Sequence, residues 1–130
     1  MGAQEDAALI RRGYEAFMAA DMDTLKDLFT EDAVWHTGGT GVLSGDKKGR
    51  DAILGYFGEL MSRSQGTLKL TLEDVAAGEK YVIGLQSNQA QRDGKSLDQH
   101  TVIAFTVSGG KVVEALEMAE DTAKSSEFWS

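Results

Sequence analysis

The stretch "YVIGLQSNQAQRDGKSLDQHTVIAFTV", residues 81–107, contains a strong β-hairpin signal. Two runs rich in β-branched and apolar residues flank Asp93 and Gly94, a dipeptide that favours the tight turn of a β-hairpin. Side chains alternate along a strand, so His100 and Phe105 in the second run fall on opposite faces. The stretch therefore predicts two antiparallel strands.

Two further strands are predicted on either side of this hairpin. Before it, Leu68, Leu70 and Leu72 alternate with polar residues, as in a strand with one solvated face. After it, the turn "SGGK" leads into "VVEALEMAE", residues 112–120. The second half of the chain thus reads as a run of antiparallel strands.

The first half of the chain has mostly helical patterns. Apolar residues from Ala7 to Met18 recur at steps of three and four, and a second apolar pattern begins after Asp21 or Asp23, which can cap a helix start. The β-prone run "EDAVWHT" and a glycine-rich loop then precede a third helix, which contains Ile53. Helices that segregate to one face of a sheet define the α+β class.

The sequence accordingly predicts a single domain over residues 1–130. We expect a cone-shaped, curved antiparallel sheet packed on three N-terminal helices, with an internal pocket between them. The tail ends in Phe128 and Trp129, which we expect to dock on the domain, because exposed aromatic side chains forfeit about 2 kcal/mol each.

The composition excludes several classes of function. The formal net charge of -8 disfavours nucleic acid and anionic membrane surfaces, and no apolar run reaches the roughly 18 residues of a membrane span. The chain has no cysteine and only two histidines, which lie far apart, so we expect neither a metal nor a cofactor. Without a signal-peptide pattern, a cytoplasmic location is expected.

Five segments together resemble a known family: "YEAFMAADMDTLKDLFTEDAVWH", "GRDAILGYF", "QRDGKSLD", "GGKVVEALEMAED" and "EFW". From about Ala7 to Trp129 the chain is similar to the SnoaL-like branch of the nuclear transport factor two-like superfamily, which is polyketide-cyclase-like and related to ketosteroid isomerase. The resemblance implies a homodimeric cone with an apolar pocket. Members include isomerases, cyclases, epoxide hydrolases, dehydratases and proteins of no assigned activity.

The resemblance also implies which activities to doubt. Tyr14 matches the oxyanion-binding tyrosine of the ketosteroid isomerases, but Thr37 stands at the position of their aspartate base and Val102 near that of their second donor. Ketosteroid isomerase activity is therefore not expected. The Asp–Arg–Asp set of the epoxide hydrolases also lacks a match, because Arg92 belongs to the hairpin.

In the polyketide cyclases, a histidine on a late strand accompanies an aspartate. His100 matches the histidine, and the acid of the last strand would be Glu114, Glu117 or Asp121, with the register left open. If its strand face points inward, Asp98 would stand one pleat from His100 and could raise its basicity. The alternative is an exposed histidine on a solvated face.

The candidate catalytic residues are therefore His100, Asp98 and Tyr14. Tyr14 either donates to a ligand oxygen or is a core tyrosine bonded to the backbone. Trp35 and His36 precede the glycine-rich loop, which could close over a pocket as a lid. The candidate pocket residues are Phe17, Trp35, His36, Tyr56, Phe57, Leu60, Val102, Glu117 and Trp129.

Two hypotheses for the function follow. In the first, the pocket binds a small, mostly apolar, oxygen-bearing molecule and catalyses cofactor-free cyclisation, isomerisation or dehydration. In the second, the same fold is a non-catalytic ligand-binding or dimerisation module. Whether the protein is an enzyme is left open, and a homodimer through the outer sheet face is expected in either case.

Overall fold

The structure is a computed structural model that describes residues 2–130. The described chain contains the helices α1 (Ala3–Met18), α2 (Met22–Leu28), α3 (Arg50–Arg63) and α4 (Thr122–Trp129). It also contains the strands β1 (Phe29–Thr37), β2 (Gly45–Lys48), β3 (Lys69–Ala77), β4 (Val82–Arg92), β5 (Lys95–Ser108) and β6 (Lys111–Ala119). These elements confirm the predicted α+β class.

The six strands form one sheet in the order β2-β1-β6-β5-β4-β3. All neighbouring pairs are antiparallel except β1 and β6, so the sheet is mixed rather than wholly antiparallel as predicted. Tight turns impose antiparallel pairing on β3 to β6, whereas β1 is far from β6 in sequence, and no turn fixes its direction. Register shifts in the β3–β4 and β5–β6 pairs mark bulges, which bend strands.

The local signals in the sequence account for several element boundaries. The Asp21 side chain accepts a hydrogen bond from the Thr24 backbone N–H at 3.2 Å and caps α2, as expected. Asp93 and Gly94 have φ angles of 49° and 79°, so the predicted hairpin turn between β4 and β5 is confirmed.

Two segments are more ordered than the sequence pattern suggested. Residues 45–48 of the glycine-rich stretch form β2, and the C-terminal tail forms α4. The last carbonyls of α4 accept hydrogen bonds from cationic side chains: Arg92 donates to the Phe128 carbonyl at 2.9 Å, and Arg63 donates to that of Trp129 at 3.3 Å. Positive charges at a helix C-terminus are stabilising, which explains why so polar a tail is helical.

The core lies between the inner face of the sheet and the helices. Its main cluster includes Phe17, Phe29, Trp35, Phe57 and Phe105, which all lie within one network of aromatic contacts. A second cluster joins Phe128 and Trp129 of α4 to Ala90 and Leu97 of the hairpin. Both terminal aromatic residues are buried, so the expectation that they dock is confirmed.

Candidate functional site

A cavity of about 100 Å³ lies between the helices and the inner face of the sheet. Its walls come from all four helices, from every strand except β2, and from the loop that follows β1. Eight of the candidate residues line it: Tyr14, Phe17, Trp35, Tyr56, Phe57, Leu60, Glu117 and Trp129. The other four, which are Asp98, His100, His36 and Val102, are not part of its lining.

Glu117 is the polar centre of the cavity. Its Oε1 atom accepts hydrogen bonds from Tyr56 Oη at 2.6 Å, Trp35 Nε1 at 2.8 Å and Thr37 Oγ1 at 3.3 Å. Among residues 2–130, no side chain donates to its Oε2 atom, and no ion pair involves Glu117. One carboxylate oxygen is therefore held by three donors, and the other receives no hydrogen bond from residues 2–130.

The strand register explains how these side chains meet. β1 and β6 run in parallel, with Thr37 beside Glu117 and Trp35 beside Ala115, so that Trp35, Thr37 and Glu117 share the inner face. Strict alternation from Glu117 would place Ala115 and Val113 on the inner face. Because β6 contains a bulge, Val112 is buried there together with Ala115, and Val113 is not. Tyr56 reaches the same carboxylate from α3.

A second polar chain crosses the inner face of the hairpin. The Tyr14 hydroxyl donates to Gln86 Oε1, Gln86 Nε2 donates to Asn88 Oδ1 at 2.7 Å, and Asn88 Nδ2 donates to Thr101 Oγ1 at 3.0 Å. Tyr14 therefore bonds a side chain, not the backbone carbonyl considered from the sequence. All four residues line the cavity.

Both lining tyrosines are held in their protonated form. Burial raises the pKa of Tyr14 well above its usual range, and the charge of Glu117 raises it further. Burial raises the pKa of Tyr56 strongly as well, with additional increases from the charge of Glu117 and from the hydrogen bond to it. At neutral pH these phenols can act as donors but not as bases, which leaves Glu117 as the ionisable carboxyl of the lining.

Gly84 makes room for Tyr14 on β4. A Cβ atom at Gly84 would lie 3.0 Å from the Tyr14 hydroxyl oxygen and 3.6 Å from Phe105 Cε2. We expect Gly84→Ala to lower the free energy of unfolding by about 1–3 kcal/mol, because extra atoms in a packed core force neighbours to move. Urea denaturation of both proteins measures the loss.

A double-mutant cycle tests the cause of that loss. In a Tyr14→Phe background the clashing oxygen is absent, so Gly84→Ala should cost at least about 0.5 kcal/mol less than in the unmodified protein. Gly58→Ala is the control, since nothing lies within 4 Å of a Cβ atom there, and it should not destabilise α3. Equal costs of Gly84→Ala in both backgrounds would contradict the assigned clash.

The glycine-rich loop forms part of the cavity wall by packing on α4. A Cβ atom at Gly41 would lie only 2.8 Å from Ser126 Cα. The loop and the helix are therefore so close that only glycine fits at position 41 without a shift of the backbone. Gly38, Gly41 and Ser126 all line the cavity. The sequence places a tryptophan beside this loop because Trp35 fills the core while its N–H reaches Glu117.

The predicted catalytic pair is on the wrong face of the sheet. His100, Asp98 and Val102 lie on the outer face of β5, because buried Leu97, Gln99, Thr101, Ile103 and Phe105 occupy the inner face. The His100 side chain is half exposed, and its ring nitrogens lie 2.9 Å from Glu73 Oε2 and 3.3 Å from Glu120 Oε1. The expected Asp98–His100 pairing inside the pocket is therefore wrong.

His36 is also outside the cavity. It alternates with buried Trp35 on β1, and its ring nitrogens lie 2.6 Å from Asp46 Oδ1 and 2.9 Å from Glu114 Oε2. These hydrogen bonds, with Asp46 the larger contributor, raise the pKa of His36. The outer-face position corrects the expectation that His36 contacts a ligand.

Sequence reasoning missed the inward-facing polar side chains of the hairpin. Gln86, Asn88 and Thr101 line the cavity, whereas Ile83 and Leu85 occupy the other face of β4. The available signal was the pair of polar runs at residues 86–89 and 98–101, which put polar side chains on both faces of the hairpin. Polar residues of this kind at a cavity can orient a ligand. Thr37 was considered only as a missing base and lies in the Glu117 cluster.

Two searches over the described residues gave negative results. Residues 2–130 contain no group of three or more histidine, aspartate or glutamate side chains placed to bind a metal ion. None of the helices in this part of the chain combines the length and the apolar character needed to cross a membrane.

Known proteins share both the fold of this chain and its family. A nuclear transport factor two-like protein from Burkholderia xenovorans superimposes with a TM-score of 0.80 at 19% identity, with 100% of this chain and 99% of that chain covered, so the two share a fold. Residues 10–115 match the SnoaL-like domain, and the chain belongs to that family.

Two closer similarities agree with this assignment. Bal32a, encoded by a soil-derived mobile gene cassette, is 41% identical with a TM-score of 0.95, and 98% of each chain is covered. An uncharacterized protein of Mycobacterium tuberculosis is 33% identical over 126 residues, which are 96% of each chain. The family resemblance read from the sequence is confirmed.

Proposed function

We propose that the cavity binds a small, mostly apolar molecule and that Glu117 holds its polar end. The observation that carries this proposal is the open Oε2 atom of a carboxylate whose other oxygen is fixed by three donors. The surrounding wall is largely aromatic and aliphatic, as in sites that bind by burial and orient the ligand by a few polar groups.

The proposal differs in one respect from the expectation based on the sequence. Tyr14 was a candidate to donate to a ligand oxygen and Trp35 a candidate pocket residue, but Tyr14 donates to Gln86 and Trp35 donates to Glu117. A ligand oxygen that needed either donor would have to displace an existing hydrogen bond. Glu117 Oε2 is instead an acceptor that requires no displacement.

Binding inside the cavity can be tested with 2-phenylethanol, an uncharged probe whose hydroxyl group can donate to Glu117 Oε2, followed by NMR of the backbone amides. Ala119 lines the cavity and Met118 precedes it on the outer face, so Ala119→Phe and Met118→Phe form a matched pair. We expect Ala119→Phe to weaken binding at least tenfold, and Met118→Phe to leave it unchanged. Equal affinities of the two variants would contradict binding in the cavity.

A second candidate function is acid–base catalysis at Glu117, favoured by its position as the ionisable carboxyl of the lining. The carboxylate would take a proton from a carbon next to a carbonyl, the electron pair of the broken C–H bond would form the C=C bond of an enolate as the C=O π pair moves onto oxygen, and the proton would then be returned. Such cofactor-free chemistry is compatible with isomerisation, cyclisation or dehydration, and a positioned base contributes about 10²–10⁴-fold.

Deuterium exchange into phenylacetone in D₂O distinguishes catalysis from binding alone. A catalytic Glu117 predicts exchange faster than in buffer by about 10²-fold. Glu117→Gln should abolish the acceleration, whereas Glu114→Gln on the outer face of the same strand should retain it. Binding without accelerated exchange would favour the non-catalytic ligand-binding module.

The outer face of the sheet supports a proposal of self-association. Leu85, Val102 and Met118 are aligned across β4, β5 and β6, and Met118 is 50% exposed. A neighbouring row of Ile83, Ala104 and Leu116 extends the apolar surface. Exposed apolar patches of this kind mark interaction sites, and we propose that a second copy of the chain covers this one.

Sedimentation velocity tests the dimer with two matched substitutions. Met118→Glu should weaken association, because it places a charge within the apolar rows. Met22→Glu makes the same change at a methionine on α2 that is 37% exposed, and should leave association unchanged. A monomer for the unmodified protein at micromolar concentration would contradict the proposal.

A further inference from the structure

The charge of the cavity lining restricts the ligand. Glu117 is the only carboxylate among the described lining residues, and that lining contains no lysine, arginine or histidine. We infer that the ligand is a small hydrophobic amine, bound as its cation with the ammonium group at Glu117 Oε2. This inference rests on the proposed binding function and does not require catalysis.

An anionic ligand is disfavoured by the same lining. It would place a second negative charge near Glu117, and like charges at short range in a cavity are costly. Lys47, which lies just outside the lining, already interacts with the charge of Glu117, and the lining itself adds no further cation. The formal net charge of the chain, -8, adds a long-range attraction for cations and a repulsion for anions. The charge of Glu117 and the net charge of the chain therefore both favour a cationic ligand over an anionic one.

The hydrogen bonds around the carboxylate favour a ligand that donates. Trp35 and Tyr56 already donate to Glu117 Oε1, and Tyr14 already donates to Gln86. The open position at Oε2 is therefore an acceptor. An ammonium group supplies a charged donor, and a hydrogen bond between two charged groups is about twice as strong as one between neutral groups.

The aromatic walls also suit a hydrophobic cation. Six aromatic residues besides Tyr14 and Trp129 line the cavity: Phe17, Phe29, Trp35, Tyr56, Phe57 and Phe105. Aromatic faces attract ammonium groups as well as burying apolar surface. Just outside this lining, Lys47 Nζ lies 4.2 Å from the centre of the Tyr56 ring, so an ammonium group already packs on one of these rings.

The test is a comparison of three probes with the same ring: benzylamine, benzyl alcohol and benzoate. Titration calorimetry at pH 7 should give an affinity for benzylamine at least tenfold higher than for benzyl alcohol, with benzoate weakest. In Glu117→Gln the preference of benzylamine over benzyl alcohol should fall below threefold. In Glu114→Gln, which removes a carboxylate from the outer face of β6, the preference should persist.

Each outcome decides a different point. The ranking in the unmodified protein stands even if Glu117→Gln fails to fold. Benzyl alcohol binding as tightly as benzylamine, or benzoate binding most tightly, would overturn the amine inference while leaving the proposed binding function intact. A preference for benzylamine that survives in Glu117→Gln would overturn the assigned role of Oε2. Absence of binding by all three probes would contradict the inference and the proposed function together.

Discussion

Trp35→Ala is expected to lower the free energy of unfolding by about 3–5 kcal/mol, as for other large aromatic residues removed from a core. Trp35 is 5% exposed, and the centre of its ring lies 5.2 Å from that of Phe57 and 5.9 Å from that of Phe105. The substitution removes these contacts and one of the three donors to Glu117. Urea denaturation, followed by circular dichroism, measures the change.

Trp35→Phe separates packing from hydrogen bonding at this position. Phenylalanine retains an aromatic ring but has no N–H group, and hydrogen bonds to charged groups contribute about 1.5–3 kcal/mol. We therefore expect Trp35→Phe to lower the free energy of unfolding, but by clearly less than Trp35→Ala does. An alanine variant within about 1 kcal/mol of the unmodified protein would show that Trp35 is not part of the core.

Phe128→Ala is expected to cost a similar amount, about 3–5 kcal/mol. Phe128 is 1% exposed, and its ring centre lies 4.8 Å from that of Trp129 in an edge-to-face arrangement. Because these two residues attach α4 to the hairpin, the loss should be accompanied by faster amide hydrogen exchange over residues 122–129. Chemical denaturation and exchange measured on the same sample test both effects.

Lys124→Ala is the matched control in the same helix. Lys124 is exposed, so its removal should change the free energy of unfolding by no more than about 0.5 kcal/mol. If Phe128→Ala were equally mild, or if exchange in α4 were unaltered by it, the helix would not depend on this anchor. The capping bonds from Arg92 and Arg63 would then be sufficient to hold it.

The sequence predicted the strands of the hairpin well but not which face points inward. Alternation assigns His100 and Val102 to one face and Thr101 and Ile103 to the other, and each face contains both polar and apolar residues. The choice depends on packing against the helices, which a strand pattern does not contain. The candidate site at His100 required its face to point inward, the alternative being a solvated face, and the structure has His100 on the outer face.

Long-range features were beyond local sequence reasoning for related reasons. The parallel pairing of β1 with β6 brings Thr37 beside Glu117, although 80 positions separate them in the chain. The helical conformation of the tail depends on Arg92 and Arg63, which belong to other elements. By contrast, Tyr14 and Glu117 were identified as candidates from the sequence, because the family resemblance implies a tyrosine on the first helix and an acid on the last strand.

The shared construction of the cavity wall has a practical consequence. All four helices and five strands contribute lining residues, so the cavity exists only in the folded protein. A molecule that binds in it therefore stabilises the folded state and not the unfolded state. A compound present at 100 times its dissociation constant would add about 2.7 kcal/mol to the free energy of unfolding. Melting curves recorded against collections of metabolites therefore detect ligands of the cavity without an assay of any reaction.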